Sequence, residues 1–290
     1  METTAEYKLI HLPYGAFSIR SLASAETFHP VVGAAEEART LYAEQLQLAK
    51  RLSETTGEFV IWDIGLGGAA NACAALYALG QAAATSGPRP IRVLSFDRTA
   101  GALAFGFQHR IELGYFRGFE SAIESLLATG EARFQIGECP VHWTSTLSEI
   151  PALLAIPAPG RPAPHAILFD PCSPGKNPEM WTLPFLTLLH QHLDPARPCN
   201  LATYSRSTMI RVSFLLAGFY VGSGQSIGDK EETTVAANHL PLLATPLDLR
   251  WLDRAKRSGA AEPMHEPIHR QAPLNPETWE KLKNHPQFNR

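Results

Sequence analysis

The chain has 290 residues, 45% of them hydrophobic, enough to bury a large core in one decorated α/β domain or in two domains. Its formal net charge of −3 excludes a broad electrostatic grip on nucleic acid and leaves room for a local basic patch. No apolar stretch is long enough to span a bilayer, the start METTAEYKLI lacks a signal-peptide pattern, and Cys73, Cys139, Cys172 and Cys199 show no paired metal spacing; these features point to a cytoplasmic protein with reduced thiols and no metal.

No internal repeat is visible. Residues 1–35 form a first segment, in which short apolar runs and turn residues over 7–32 predict a hairpin or lid. Over 36–52, Ala38, Leu41, Tyr42, Leu48, Ala49 and Leu52 fall near one stripe and predict an amphipathic helix. Residues 59–64 predict the first core strand; its helix starts at Ala69 and ends near Gly80, before a Ser86-Gly87-Pro88 turn. A second strand over 91–96 stops at Asp97, followed by a helix over 100–113 and a helical insertion over 117–129. Residues 141–147 predict a third strand with Glu149 just beyond it, and the proline-rich 151–164 a surface connection. The fourth strand, 165–169, ends at Asp170. Helix 181–193, strand 199–204 and helix 207–218 follow, the last capped by Gly218. Residues 219–221 and 233–236 read as two strands joined by a loop. The pattern is α/β: a Rossmann-like, doubly wound, mostly parallel sheet with an antiparallel C-terminal edge hairpin, spanning 36–256. Residues 257–290 are polar and proline-rich, a tail that is either wrapped on the domain or partly disordered.

The chemistry concentrates at strand ends. Val60-Ile61-Trp62-Asp63-Ile64-Gly65-Leu66-Gly67-Gly68 reads as strand, acid, glycine turn, then helix. Gly65 and Gly67 let the backbone turn sharply beside a ligand. A carboxylate beside such a turn does not favour a phosphate. It suits a ligand with a cationic, amino-acid-like portion, and S-adenosylmethionine carries both an ammonium and a sulfonium. Asp97 is placed to accept from two ribose hydroxyls, and Glu149 from an adenine amino group. Against this stands the reading in which strand-end carboxylates merely cap helices or meet solvent.

The stretch 170–181, DPCSPGKNPEMW, follows the fourth strand directly. An amine attacking a methyl group needs a free lone pair, and Asp170 can orient the amine and take its proton. The plain alternative is a proline-rich loop capping the next helix. Trp181 offers either a stacking face for a planar base or an anchor for the core. Lys176, Arg206, Arg211 and Lys230 are cations that can meet phosphate or simply face water. His190 and His192, two apart on a helix, cannot readily share a metal, and Cys172 reads as a packing residue rather than a nucleophile.

Three stretches resemble the methyltransferase part of the MnmC-type tRNA modification enzymes, which act on 5-aminomethyl-2-thiouridine at the wobble position: FVIWDIGLGGAAN (59–71), LFDPCSPGKNPEMWT (168–182) and LATYSRSTMIRVSFLLAGFYVGSGQSIGDKEETTVAA (201–237). SLASAETFHPVVG (21–33) is similar to the family's lid segment around a glutamate, here Glu26. The resemblance implies a Rossmann-like class I methyltransferase that uses S-adenosyl-L-methionine. Asp63, Gly65, Gly67, Asp97 and Glu149 would be at the cofactor and Asp170 the catalytic aspartate. Glu26, Lys176, Asn177, Trp181 and Lys230 would be at the substrate, the wobble uridine of a tRNA anticodon loop. It also implies that the family's flavin-dependent oxidase is absent from this chain. Three departures stand out: Pro171-Cys172 after the aspartate, Glu149 where an aspartate is commoner, and a lid reading His29-Pro30 that runs into the next helix. Competing readings are a methyltransferase for a small amine, a dinucleotide-dependent oxidoreductase, and a non-catalytic Rossmann binding module.

Overall fold

The computed structural model describes residues 6–227 and 231–289, with only the backbone of 84–86. The chain opens with a two-stranded antiparallel hairpin, β1 (Tyr7–His11) and β2 (Phe17–Ser21), registered Tyr7 opposite Ser21 and His11 opposite Phe17. The expected amphipathic helix over 36–52 is broken. It consists of α1 (Ala34–Ala38), a π-helical turn (Arg39–Glu44) and α2 (Leu48–Glu54), with Gln47 left-handed at φ 52°. Its stripe is nevertheless buried: Ala38, Leu41, Tyr42, Leu48 and Leu52 all lie in the core.

The central unit runs β3 (Phe59–Ile64), α3 (Ala70–Ser86), β4 (Ile91–Asp97), α4 (Gly101–Gln108), α5 (Arg110–Leu113) and α6 (Glu120–Thr129). It continues through β5 (Glu131–Ile136), β6 (Cys139–Leu147), α7 (Ile150–Ala155), β7 (Ala166–Phe169), α8 (Leu183–Gln191) and β8 (Asn200–Thr203). Then come α9 (Thr208–Leu216), β9 (Tyr220–Gly224), β10 (Thr233–Ala237), α10 (Leu249–Lys256) and α11 (Pro276–Lys283). Among the described residues the main sheet has the order β5-β6-β4-β3-β7-β8-β10-β9. The strands β6, β4, β3, β7 and β8 are parallel, while β5 and the β9–β10 pair are antiparallel at the two edges. Other details differ from expectation: the 100–113 helix is split into α4 and α5, α7 reaches into the expected surface connection 151–164, and α11 lies in the expected tail. Helix α3 runs through Gly80 to Ser86, and β5 is an additional strand.

Strand alternation divides the interior. Phe59 and Ile61 of β3 join Val93, Val141, Ala166 and Leu168 beneath α3, whereas Val60, Trp62 and Ile64 join Ile167 and Phe169 beneath α8 and α9. The period of two has a functional consequence. Asp63, Asp97 and Asp170 each continue the set that faces α3, so three carboxylates come together beneath one helix at the carboxyl end of the sheet. That end is the topological switch point, where the chain leaves β3 towards β4 on one side and later crosses to β7 on the other.

The tail is wrapped. Leu282 and Phe288 are buried in the second core, and the Gln287 amide accepts from Val221 N at 2.8 Å and donates to the carbonyls of Val221 and Leu247. Asn275 caps α11 by accepting from Thr278 N at 2.8 Å, with Pro276 at the first helical position. Among the described residues no helix is long and apolar enough to cross a membrane.

Candidate active site

The switch point opens into a cavity of about 840 Å³, roofed by the β1–β2 hairpin and the lid that follows it. Its floor is the glycine turn after β3. Gly65 has φ +95°, and a Cβ there would come 2.5 Å from the carbonyl oxygen of Asp170. Only glycine therefore lets the β3 turn and the β7 loop pack against each other. A Cβ on Gly68 would meet the Tyr115 hydroxyl at 2.7 Å and Ile19 at 2.9 Å, and Tyr115 donates to the Gly68 carbonyl at 3.0 Å. The hairpin and the α5–α6 connection are thus seated directly on the turn.

Four of the amides at this turn are committed, and Gly68 N is not. Gly65 N and Leu66 N donate to the Phe96 carbonyl, Gly67 N donates to Asp97 Oδ2 at 2.9 Å, and Ala69 N donates to the Leu66 carbonyl. A diphosphate needs free N–H groups at this position. The free N–H groups here are Gly68 N and those of the first turn of α3, and Asp63 does not bear on the choice of ligand because it lies outside the cavity.

Asp63 is wholly buried and does not line the cavity, which corrects its assignment to the cofactor. Its place in the strand alternation puts it under α3, where Ser95 Oγ donates to Oδ2 at 2.6 Å and Trp143 Nε1 donates to Ser95 at 2.9 Å. Oδ1 has no hydrogen-bond partner. Burial pushes its pKa from the ordinary 3.8 to about 8, the Ser95 hydrogen bond opposes the rise, and Asp170 and Asp97 add to it. The sign of the linkage follows. The folded state holds a proton that the unfolded chain releases, so this contribution to stability is complete below pH 4 and is lost as pH rises through about 8. Asp63→Asn, a near copy of the protonated acid, is expected to flatten the fall in Tm between pH 5 and 8, where each unit otherwise costs up to about 1.4 kcal/mol. Parallel decline of the two proteins in a pH series of thermal melts would refute this.

Asp97 and Glu149 do line the cavity. Asp97 Oδ2 accepts from Gly67 N and Oδ1 from Arg98 N at 2.7 Å, and the Thr99 amide also bonds the carboxylate, so part of its acceptor capacity is left for a ligand. Burial raises its pKa, against the opposing pull of the Gly67, Arg98 and Thr99 amides. Glu149 is exposed at the start of α7 and uses its side chain in no cap.

Asp170 lines the same cavity a short step away. Its Oδ2 accepts from Asn71 Nδ2 at 2.8 Å and lies 3.7 Å from His29 Nε2. Asn71 sits in the first turn of α3, is buried and also lines the cavity, and its Oδ1 has no partner. Three donors fix the backbone around Asp170: Tyr42 Oη on the Phe169 carbonyl, Tyr204 Oη on the Pro171 carbonyl at 3.2 Å, and Trp181 Nε1 on the Cys172 carbonyl at 2.8 Å. Burial pushes both phenols well above their ordinary value, so they remain donors throughout the physiological range. Trp181 takes the core role. It does not line the cavity, and it packs edge-on against Phe169 and Tyr204.

Glu26 lines the cavity and binds the lid to the loop that follows β7. It accepts from Ser173 N at 3.2 Å and from the Ser173 hydroxyl. Asn177 lines the cavity with its amide 2.8 Å from the Glu179 carboxylate, and Lys176 is exposed at the rim. Lys230 lies outside the described residues. Arg211 is corrected from a phosphate candidate to a structural residue, buried and bonded to Thr234, Glu232 and the Thr233 carbonyl. Cys172 lines the cavity, but burial, with neighbouring carboxylates, pushes its thiol up to about 11 and makes it a poor nucleophile. Asn71, His29, Glu37 and Tyr204 were not assigned from the sequence. Asn71 and His29 stand inside the stretches that carry the family resemblance, the only signal available for them.

Residues 150–239 match a family described as S-adenosyl-L-methionine-dependent methyltransferase. Among solved structures, this methyltransferase is similar to MNMC2 from Aquifex aeolicus, with 21% identity, a TM-score of 0.69, and coverage of 98% of this chain and 85% of that one. That likeness establishes a shared fold across nearly the whole chain. A spermidine synthase from Thermotoga maritima aligns with 10% identity and a TM-score of 0.47 over 81% of this chain and 69% of that one. No curated protein matches the methyltransferase. The cavity fits S-adenosyl-L-methionine: Asp97 has free acceptor capacity for hydroxyls, and Asn71 Oδ1 is an orphaned acceptor for an ammonium.

Proposed function

We propose that this methyltransferase transfers a methyl group to an aliphatic amine, and that the amine is the aminomethyl group of 5-aminomethyl-2-thiouridine at a tRNA wobble position. The observation that carries this reading is the placement of Asp170. Its carboxylate is held by Asn71 at 2.8 Å, lines the same cavity as the glycine turn and Asp97, and stands where an acceptor can meet the cofactor. When bound, S-adenosyl-L-methionine supplies an electrophilic methyl group on a sulfonium. The residues of the chain do the rest. Asp97 would accept from the cofactor's ribose hydroxyls, Glu149 would meet its adenine edge, and Asn71 Oδ1 would accept from its ammonium.

Asp170 accepts a hydrogen bond from the acceptor amine, aims its lone pair and takes its proton. Together with Glu26, Glu37 and Asp97 it makes the cavity acidic, which favours a cationic acceptor over an anionic one. The anticodon-loop reading is supported by the rim, where Arg20, Arg98 and Lys176 are available to backbone phosphates despite the net negative charge. The resemblance of the 168–182 stretch to the MnmC-type enzymes points to the same substrate.

A small free amine is the competing acceptor, and salt separates the two. If tRNA is the substrate, log(kcat/KM) falls linearly with log salt with a slope of about −2 to −3, as expected for a few neutralised phosphates. Salt-independent kcat/KM on tRNA, or faster methylation of a free amine, would transfer the proposal to the small-molecule reading.

A further inference from the structure

Asp170 is one end of a chain of three titratable groups. His29 Nε2 lies 3.7 Å from Asp170 Oδ2, and His29 Nδ1 lies 3.9 Å from Glu37 Oε2. Glu37 is buried at the start of α1, and its other oxygen accepts from Val31 N at 2.8 Å and Val32 N at 3.2 Å. The same carboxylate therefore fixes the backbone beyond His29 and faces its ring. His29 is held at φ +45°, a left-handed conformation in which a non-glycine residue is strained and persists only where its surroundings enforce it. The imidazole bridges two carboxylates and lines the cavity with both of them.

From this geometry we infer that His29, oriented by Glu37, receives the proton that Asp170 takes from the acceptor, acting through Asp170 rather than on the acceptor itself. The inference rests on the amine reading above. An aliphatic amine arrives as an ammonium and cannot attack until it loses a proton. A carboxylate alone is a weak base for that task, and an imidazole is a stronger one. The ammonium proton passes to Asp170 and on to His29 Nε2, and the imidazolium so formed lies between the Asp170 and Glu37 carboxylates. The freed nitrogen lone pair then forms the C–N bond, the S–CH3 bond breaks, and its electron pair remains on sulfur. The product ammonium can lose its proton by the same route. Both gaps slightly exceed hydrogen-bond length, and catalytic contacts commonly tighten only when ligands are bound.

Other titratable groups around Asp170 are Tyr42, Tyr204, Cys172, Asp63, Asp97 and Glu26; burial raises the pKa of the first five, that of Asp63 to about 8. The test is therefore made in wild type and in the Asp63→Asn background. The variants are His29→Asn, which tolerates the left-handed backbone, and His29→Gly, which relieves it and leaves space for free imidazole. Single-turnover rates are measured against pH at saturating S-adenosyl-L-methionine, with tRNA carrying 5-aminomethyl-2-thiouridine as acceptor.

The expected result is a fall of about 10²-fold in the rate with little change in the KM for tRNA. The pH–rate profile should change shape, and added imidazole should restore His29→Gly in a concentration-dependent way. An unchanged profile, or a loss that imidazole does not restore, would overturn the relay while leaving the amine reading in place. A wild-type protein that methylates no amine would overturn both.

Discussion

Asp170→Asn is expected to lower the methyl-transfer rate by about 10²- to 10⁴-fold, the range for removing a positioned proton acceptor. The substitution is nearly isosteric. It keeps a partner for Asn71, 2.8 Å away, and leaves untouched the Tyr42, Tyr204 and Trp181 contacts that hold the surrounding backbone. What it removes is the negative charge and the basic lone pair. Affinity for S-adenosyl-L-methionine, measured by calorimetry, should stay within a few-fold of wild type, because Asp97 and the glycine turn are unchanged. Equal losses in rate and cofactor affinity would mean that Asp170 holds the cofactor instead of serving the acceptor. Full activity in the variant would remove Asp170 from the chemistry.

Asp97→Ala is expected to act on the opposite quantity. The substitution deletes both oxygens that would accept from the ribose hydroxyls, and charge-assisted bonds of this kind are each worth about 1.5–3 kcal/mol. Two of them correspond to a loss of at least about 100-fold in affinity. The variant also strips Gly67 N and Arg98 N of their acceptor, so the turn itself loosens. Asp97→Asn separates the two effects. The amide oxygen can still accept from one backbone N–H, and the loss of charge then reports on the ligand. Because burial raises the Asp97 pKa, affinity should weaken towards acidic pH, as the carboxylate takes up a proton and ceases to be a full acceptor. Wild-type-like affinity in Asp97→Ala would displace the ribose from this carboxylate.

The sheet was legible because three of its parallel strands, β3, β4 and β7, are short apolar runs with an acid at or just beside their ends. In each, that acid is the residue which, by alternation, points beneath α3. Strand β5 was hidden because Glu131, Arg133 and Gln135 alternate with Ala132, Phe134 and Ile136 at an edge, and in that sequence nothing distinguishes an antiparallel edge strand from a connection. The break in the 36–52 helix was hidden because an apolar stripe survives a π-helical turn and one left-handed residue.

At the site, local spacing identified the strand-end acids but could not rank them. Asp63 and Asp97 look equivalent in sequence. One terminates inside the core against Ser95, and the other emerges at the cavity. The partners of Asp170 were out of reach for a different reason. Asn71 lies 99 residues away and His29 lies in the lid, so only the folded sheet brings them to one carboxylate.

The central claim is methyl transfer from S-adenosyl-L-methionine to an amine held at Asp170. It is tested most directly by incubating the purified protein with the cofactor and tRNA bearing 5-aminomethyl-2-thiouridine, then digesting the tRNA and weighing its nucleosides. The account predicts conversion of that nucleoside to its N-methyl form, one methylene heavier, in wild type and not in Asp170→Asn. An unmodified nucleoside with wild-type protein that binds the cofactor tightly would contradict it.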